Sequence, residues 1–183
     1  MSDIFQIRNA TSKDLACLPV IEAAAAKLFP SERIPNPQAT HPEDLLQESL
    51  NNRLLFVADV SDEIVGFCTC TELARYLHLD ELSVAPDFGR RGIGRALTIR
   101  ALEESAIREL RGVTLTTFSD FEWNAPFYRK LGFCEFDPSD LPGHLQELLE
   151  REAAEGLLHR VGMVYSNEAR GPLNPMSRLL LRS

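Results

Sequence analysis

Residues 82 to 97 read Leu-Ser-Val-Ala-Pro-Asp-Phe-Gly-Arg-Arg-Gly-Ile-Gly-Arg-Ala-Leu. An apolar strand runs into a basic, glycine-bearing turn, and the turn opens a helix. The helix follows from Ile93, Ala96, Leu97, Ala101, Leu102 and Ile107, which recur near the helical period. Gly92 and Gly94 remove the side chains that would keep a ligand off the backbone. The first turn of a helix carries N–H groups with no intrahelical partner, and the macrodipole favours negative charge beside them. With Arg90, Arg91 and Arg95 around it, the turn is predicted to cradle a pyrophosphate. Two common cradles are excluded. A P-loop needs Lys and then Ser or Thr after its second glycine, and a dinucleotide fold needs a third glycine three residues after the second. Here Arg95, Ala96 and Leu97 follow Gly94.

A second stretch, residues 123 to 133, reads Trp-Asn-Ala-Pro-Phe-Tyr-Arg-Lys-Leu-Gly-Phe. It predicts a short helix carrying Tyr128, closed by Gly132 where a left-handed residue is needed, with Phe133 opening the next strand. Together the two stretches resemble the GCN5-related N-acetyltransferase (GNAT) superfamily. Its acetyl-CoA motif is Gln or Arg, two residues, Gly, any residue, then Gly or Ala, after a Val-x-Pro strand end that here is Val84-Ala85-Pro86. Its second hallmark, Asn and then Phe-Tyr-x-x-x-Gly-Phe, is matched by Asn124, Phe127, Tyr128, Gly132 and Phe133. One departure stands out: Gly89 fills the Gln/Arg slot and Arg90 the usual glycine, as if the pair had swapped.

The resemblance implies an α+β fold, a mostly antiparallel twisted sheet of about seven strands flanked by helices. It implies acetyl-CoA held by Leu82, Ser83, Val84, Arg90, Arg91, Gly92, Ile93, Gly94, Arg95, Asn124, Phe127 and Tyr128. In such a site the tyrosine faces the sulfur of CoA, the asparagine bonds the pantetheine arm, and no metal takes part.

The remaining sequence predicts elements in a compatible order. Ile4 to Arg8 alternates as a first strand, and Thr11 with Asp14 resembles a capping box for a helix running to about Phe29. Pro30, Pro35 and Pro37 impose a loop. A second helix opens near Pro42-Glu43 and ends around Asn51-Asn52. Leu54 to Val60 and Ile64 to Thr71 form a hairpin around Ser61-Asp62-Glu63. A fourth strand covers Tyr76 to Val84 and a fifth Val113 to Phe118. Phe133 to Phe136 and Arg160 to Tyr165 pair late in the chain around a helix over His144 to Glu155. Residues 1–166 are thus expected as one domain. Residues 167–183, with Pro172, Pro175 and the apolar Leu179 to Leu181, are expected as an extension.

Composition narrows the setting. The 183 residues contain no apolar run of the ~18 needed to span a bilayer, and the first residues lack the basic flank of a signal peptide. The expectation is a cytoplasmic protein with no membrane partner. Cys17, Cys68, Cys70 and Cys134 supply no zinc set, so they are read as structural thiols. A net charge of −8 argues against nucleic acid and suits a cationic amine. The resemblance adds a homodimer as an expectation.

Moving an acyl group from a thioester to an amine demands a base for the ammonium, stabilisation of the carbonyl oxygen, and a proton for the departing thiolate. Tyr128 suits the last task. Resemblance assigns the second to a backbone N–H near Leu82 to Val84, a strand edge that would also pair with the pantetheine amides. The base candidates are Glu81, then Asp80, then His78. Successive strand residues face opposite sides, so Glu81 and Asp80 share a cleft only if the strand carries a bulge. Phe29 and Arg33 are candidates for the acceptor site, Arg33 for a substrate carboxylate. The sequence therefore predicts acetyl transfer to a small-molecule amine. The alternatives are a protein or peptide amine as acceptor, or an idle acyl-CoA-binding sensor.

Overall fold

The computed structural model describes residues 4–33, 41–137 and 140–168. Seven strands form one sheet in the order β1-β2-β3-β4-β5-β7-β6, comprising β1 (Gln6–Asn9), β2 (Leu55–Val60), β3 (Glu63–Leu73), β4 (Tyr76–Val84), β5 (Gly112–Phe118), β6 (Cys134–Glu135) and β7 (Arg160–Ser166). Every pairing is antiparallel except β4 with β5. Five helices cover it: α1 (Leu18–Ala26), α2 (Glu43–Asn51), α3 (Ile93–Ile107), α4 (Ala125–Lys130) and α5 (Gly143–Ala154).

The alternation of side chains decides which helix covers which face. Phe56, Cys68, Cys70, Leu77, Leu79, Leu115 and Met163 point one way and pack with Leu97, Ala101 and Leu102 of α3 and Tyr128 of α4. Leu55, Val57 and Phe67 point the other way, onto Leu18 and Ile21 of α1 and Leu46 of α2. Tyr76 and Val164 share that second face with Leu145 of α5. Cys68 and Cys70 lie 3.7 Å apart, Sγ to Sγ, as buried thiols in the first core.

Boundaries differ from expectation where capping competes with periodicity. The first strand begins at Gln6, and the first helix begins only at Leu18 after a 3-10 turn over Leu15–Cys17. Asp14 explains the delay. Its carboxylate accepts from the Thr11 N–H at 2.7 Å and the Thr11 hydroxyl at 2.9 Å, and it also binds the Arg8 guanidinium at 2.8 Å. The Arg8 hydrogen bonds outweigh burial and hold the carboxyl down to about 2. The lock ties the start of the helix to β1 rather than to its own first turn. Of the expected extension, Asn167 bonds the Arg111 carbonyl through its N–H at 2.9 Å, and residues 169–183 lie outside the described residues. So do Pro35 and Pro37 of the loop after α1.

Candidate active site

β4 and β5 are paired only at Leu77–Val113 and His78–Thr114. Beyond that point both strands continue unpaired, and the sheet splits into a wedge. The Ala85 N–H donates to Val65, so residues two and four earlier, Ser83 and Glu81, also turn their backbone toward β3. The N–H and C=O groups of Leu82 and Val84 therefore face the open wedge. Such an edge adds an extended ligand as it would add a strand. Ser83, expected beside them, does not join this edge, and its hydroxyl donates to Glu81 at 2.6 Å.

The strand ends in the basic turn. Gly92 caps α3 in the left-handed conformation, φ 85°, which a residue with a Cβ adopts only under strain. Gly94 packs under Leu82, Val84 and Phe127, where an added Cβ would sit 3.9 Å from each. The Gly89–Arg90 swap has a visible consequence. Gly89 is extended, with ψ 154°, whereas Arg90 takes a left-handed φ of 61°. The slot that wants glycine thus holds a side chain. Arg91 folds back, donating to the Asp87 carbonyl at 2.9 Å and lying 4.9 Å from the Phe88 ring. Arg90 instead lines a cavity of about 410 Å³ with Glu122, Trp123, Pro126, Phe127 and Lys130. It is an open depression in the surface, where Arg90 and Lys130 set two cations against the one carboxylate of Glu122.

Across the wedge, α4 supplies Asn124 and Tyr128. Gly132 closes the helix with φ 95°, as its spacing predicts. The Asn124 amide nitrogen donates to Thr117 of β5 at 2.8 Å, while its carbonyl oxygen is buried with no partner. An orphaned buried acceptor at the edge of a cleft fits an N–H of an extended amide ligand. Tyr128 is buried against Phe127 and Phe133, with ring centroids at 5.0 and 5.5 Å. Burial pushes its pKa above the ordinary tyrosine value, so the hydroxyl stays protonated.

The opposite face of the wedge is acidic. Cys70 pairs with Leu79 and Thr69 with Glu81, which leaves Asp80 as an extra residue in β4. That bulge resolves the parity conflict in the sequence. Asp80 accepts from the Thr71 hydroxyl at 2.8 Å, and Glu81 reaches toward Glu22 of α1 and His41. Burial pushes Asp80 up to about 6 against the hydrogen bond from Thr71, and raises Glu81 as well.

Two further expectations need correction. His78 is 4 % exposed and faces α5, where its Nδ1 lies 3.1 Å from the Thr114 hydroxyl, which in turn meets His144 at 3.1 Å. Burial and the neighbouring His144 hold it down to about 3. The element that displaces it from the acceptor site is α5, which covers this end of the sheet. Arg33 is bound by both oxygens of Asp120 at 2.9 and 2.8 Å and stacks on Phe118 and Phe121. Its guanidinium is thus committed within the protein rather than facing a substrate carboxylate. Phe29 joins the same aromatic group, 5.4 Å from Phe118 and 5.2 Å from Phe121, at the end of the wedge.

Three features were missed in the sequence. Glu22 is the one charged residue in α1, a signal that could have marked it. His41 carried no local signal. Arg160 bonds Glu152 at 2.8 Å and the Thr116 hydroxyl at 3.0 Å, bracing the β5 side of the wedge from β7.

Residues 51–135 match the family described as acetyltransferase (GNAT) domain. Residues 51–135 of this chain thus form a GNAT domain. An uncharacterized N-acetyltransferase of Methanocaldococcus jannaschii is 36% identical over 87 residues, which cover 44% of this chain and 38% of that protein. The chain thus aligns with well under half of that relative's length. The GNAT architecture extends over nearly all the described fold. The paia N-acetyltransferase of Thermoplasma acidophilum, solved with coenzyme A, superposes with a TM-score of 0.68 at 17% identity, covering 89% of this chain and 99% of that one. The ribosomal-protein-S18-alanine N-acetyltransferase of Escherichia coli gives 0.65 at 20% identity, covering 89% and 94%. The GNAT match spans β2 to β6, and so includes the wedge, the basic turn and Tyr128. Glu22, His41 and Arg160 lie outside it.

Proposed function

We propose that this protein transfers the acetyl group of acetyl-CoA to a primary amine of a small molecule, directly and within a ternary complex. One observation carries the reading: the wedge between β4 and β5 has Tyr128 on one face of the sheet and Asp80 with Glu81 on the other. A thioester lying along the wedge would meet a proton donor from one side and an approaching amine from the other.

Acetyl-CoA would be held by the turn from Arg90 to Arg95, the backbone of Leu82 and Val84, and Asn124 with Phe127. It supplies the activated acyl group. The acceptor arrives as a cation, and three carboxylates, Glu22, Asp80 and Glu81, gather on its side of the wedge. Glu81 is assigned as the base. It is half-buried, and desolvation raises its pKa, so its carboxylate is more basic than a fully exposed one, and Ser83 orients it. Asp80, raised to about 6, holds the ammonium beside it. The N–H of Leu82 or Val84 stabilises charge on the carbonyl oxygen. Tyr128 donates its proton to the leaving sulfur and is reprotonated by the second proton that the nitrogen loses as the amide forms.

The test is release of CoA thiol from acetyl-CoA against polyamines, amino acids, aminoglycosides and short peptides, with CoA binding measured alongside. Release with a small amine supports the proposal. Release only with peptides moves the acceptor to the protein class, the chemistry that the Escherichia coli neighbour's name describes. CoA binding without release on any amine supports the idle sensor instead.

A further inference from the structure

The acceptor side of the wedge holds one ionisable ring that the steps above leave unused. His41 lies just before α2, and its backbone N–H donates to both oxygens of Glu22, at 3.1 and 2.9 Å. Its ring Nδ1 is 3.4 Å from Glu22 Oε1. Glu22, His41 and Glu81 each place one donor atom within 4.8 Å of the others. Two hydrogen bonds of ~2.8 Å meeting at one water span about that distance. Glu81 is half-buried, and the His41 side chain beside it keeps 21% of its surface exposed. A proton held on Glu81 therefore has a short route outward, over one imidazole that a second carboxylate orients. The same logic aligns base and orienter in other proton-transfer sites.

We propose that His41, oriented by Glu22, is the proton exit of the acceptor site. The inference rests on the acetyl transfer proposed above, with Glu81 as its base. The ammonium gives one proton to the Glu81 carboxylate and keeps the electron pair that attacks the acyl carbon. The Glu81 acid returns to carboxylate as a bridging water passes a proton to the neutral His41 ring. The imidazolium then releases it to solvent, so one proton leaves per acetyl group transferred.

The groups facing the ring are Glu22 from α1 and Asp80 and Glu81 from β4, with Arg160 of β7 facing Glu81 from beyond. Burial pulls His41 down, but the hydrogen bond to Glu22 and the three carboxylate charges outweigh it and raise the ring above its ordinary value. A relay needs the ring neutral, so turnover should fall on the acid side of its titration.

The experiment compares the full chain with Glu22→Gln and His41→Gln. It follows kcat/KM against pH with the best amine, the NMR titration of the His41 ring without substrates, and CoA affinity. Glu22→Gln keeps the orienting oxygen but removes its charge. The expected result is a His41 midpoint and a kinetic acid limb that both move to lower pH by the same amount, whatever the height of the high-pH plateau. His41→Gln should lower that plateau on the order of 100-fold with CoA affinity unchanged. A His41 midpoint that moves while the kinetic limb stays put would overturn the relay, as would an unchanged plateau in His41→Gln. Should His41→Gln fail to fold, Glu22→Gln decides alone. A wild-type protein that transfers to no amine would sink the parent proposal instead, so the two failures are distinguishable.

Discussion

Replacing Tyr128 by Phe isolates a single hydroxyl. The side chain is 6% exposed, and its ring packs against Phe127 and Phe133. Phenylalanine fills the same volume, so no cavity opens. No hydrogen bond among the described residues holds the hydroxyl, so its removal leaves no partner orphaned. The change in folding stability should stay within about 1 kcal/mol, or under roughly 4 °C for a chain of this size. The rate should respond far more. Positioned acid catalysis contributes roughly 10²–10⁴-fold, or about 3–5 kcal/mol of barrier. A thiol of ordinary pKa, about 8.5, leaves readily on its own, which places the loss near the lower end at about 100-fold. The assay is steady-state thiol release with the best acceptor, beside a CoA titration and a melting curve. Expected are a kcat reduced about 100-fold, CoA affinity within a factor of about two and a nearly unchanged midpoint. A Tyr128→Phe enzyme within threefold of wild type would refute the acid role.

Asp80→Asn tests the bulge electrostatically. The folded pKa of about 6 exceeds the reference value of 3.8, so the folded state holds this proton more tightly than the unfolded chain. The associated stability is fully present below 3.8 and is lost as pH rises through about 6. Two pH units correspond to at most about 3 kcal/mol. Asp80→Asn should therefore raise the melting midpoint at pH 8 and change it little at pH 4, and equal shifts at both would contradict the assignment. Arg90→Gly relaxes a left-handed residue that costs roughly 1–2 kcal/mol, less about 1 kcal/mol for the freedom glycine adds to the unfolded chain. The ligand-free variant should match or exceed wild-type stability but bind CoA up to about tenfold more weakly. Unchanged affinity in a titration would remove Arg90 from the phosphate site.

The glycine-bearing turn, the strand before it and the aromatic helix were legible because each is local. Gly92 and Gly132 take left-handed backbones where glycine alone is unstrained, and β4 spans Tyr76–Val84 as its apolar run predicts. The need for a bulge could be stated from parity, yet its position could not. Asp80 is the extra residue because of how β3 pairs with β4, a register set by the cores on both faces. The acceptor side was the least legible. Glu22, His41 and Glu81 come from a helix, a loop and a strand far apart in sequence, and their proximity exists only once α1 lies over β4.

His78 and Arg33 fail for a related reason. Their residue types allow the roles expected of them, but α5 covers the first and Asp120 binds the second. By itself the sequence determined the glycine-bearing turn and the short aromatic helix, because short-range backbone geometry and spacing specify them, and the resemblance its two motifs carry gave the fold class. Tertiary structure alone decided which carboxylates share the cleft, which histidine reaches it and which arginine is engaged elsewhere. Burial and charge at a point depend on every chain segment that packs there, and no local pattern encodes that sum.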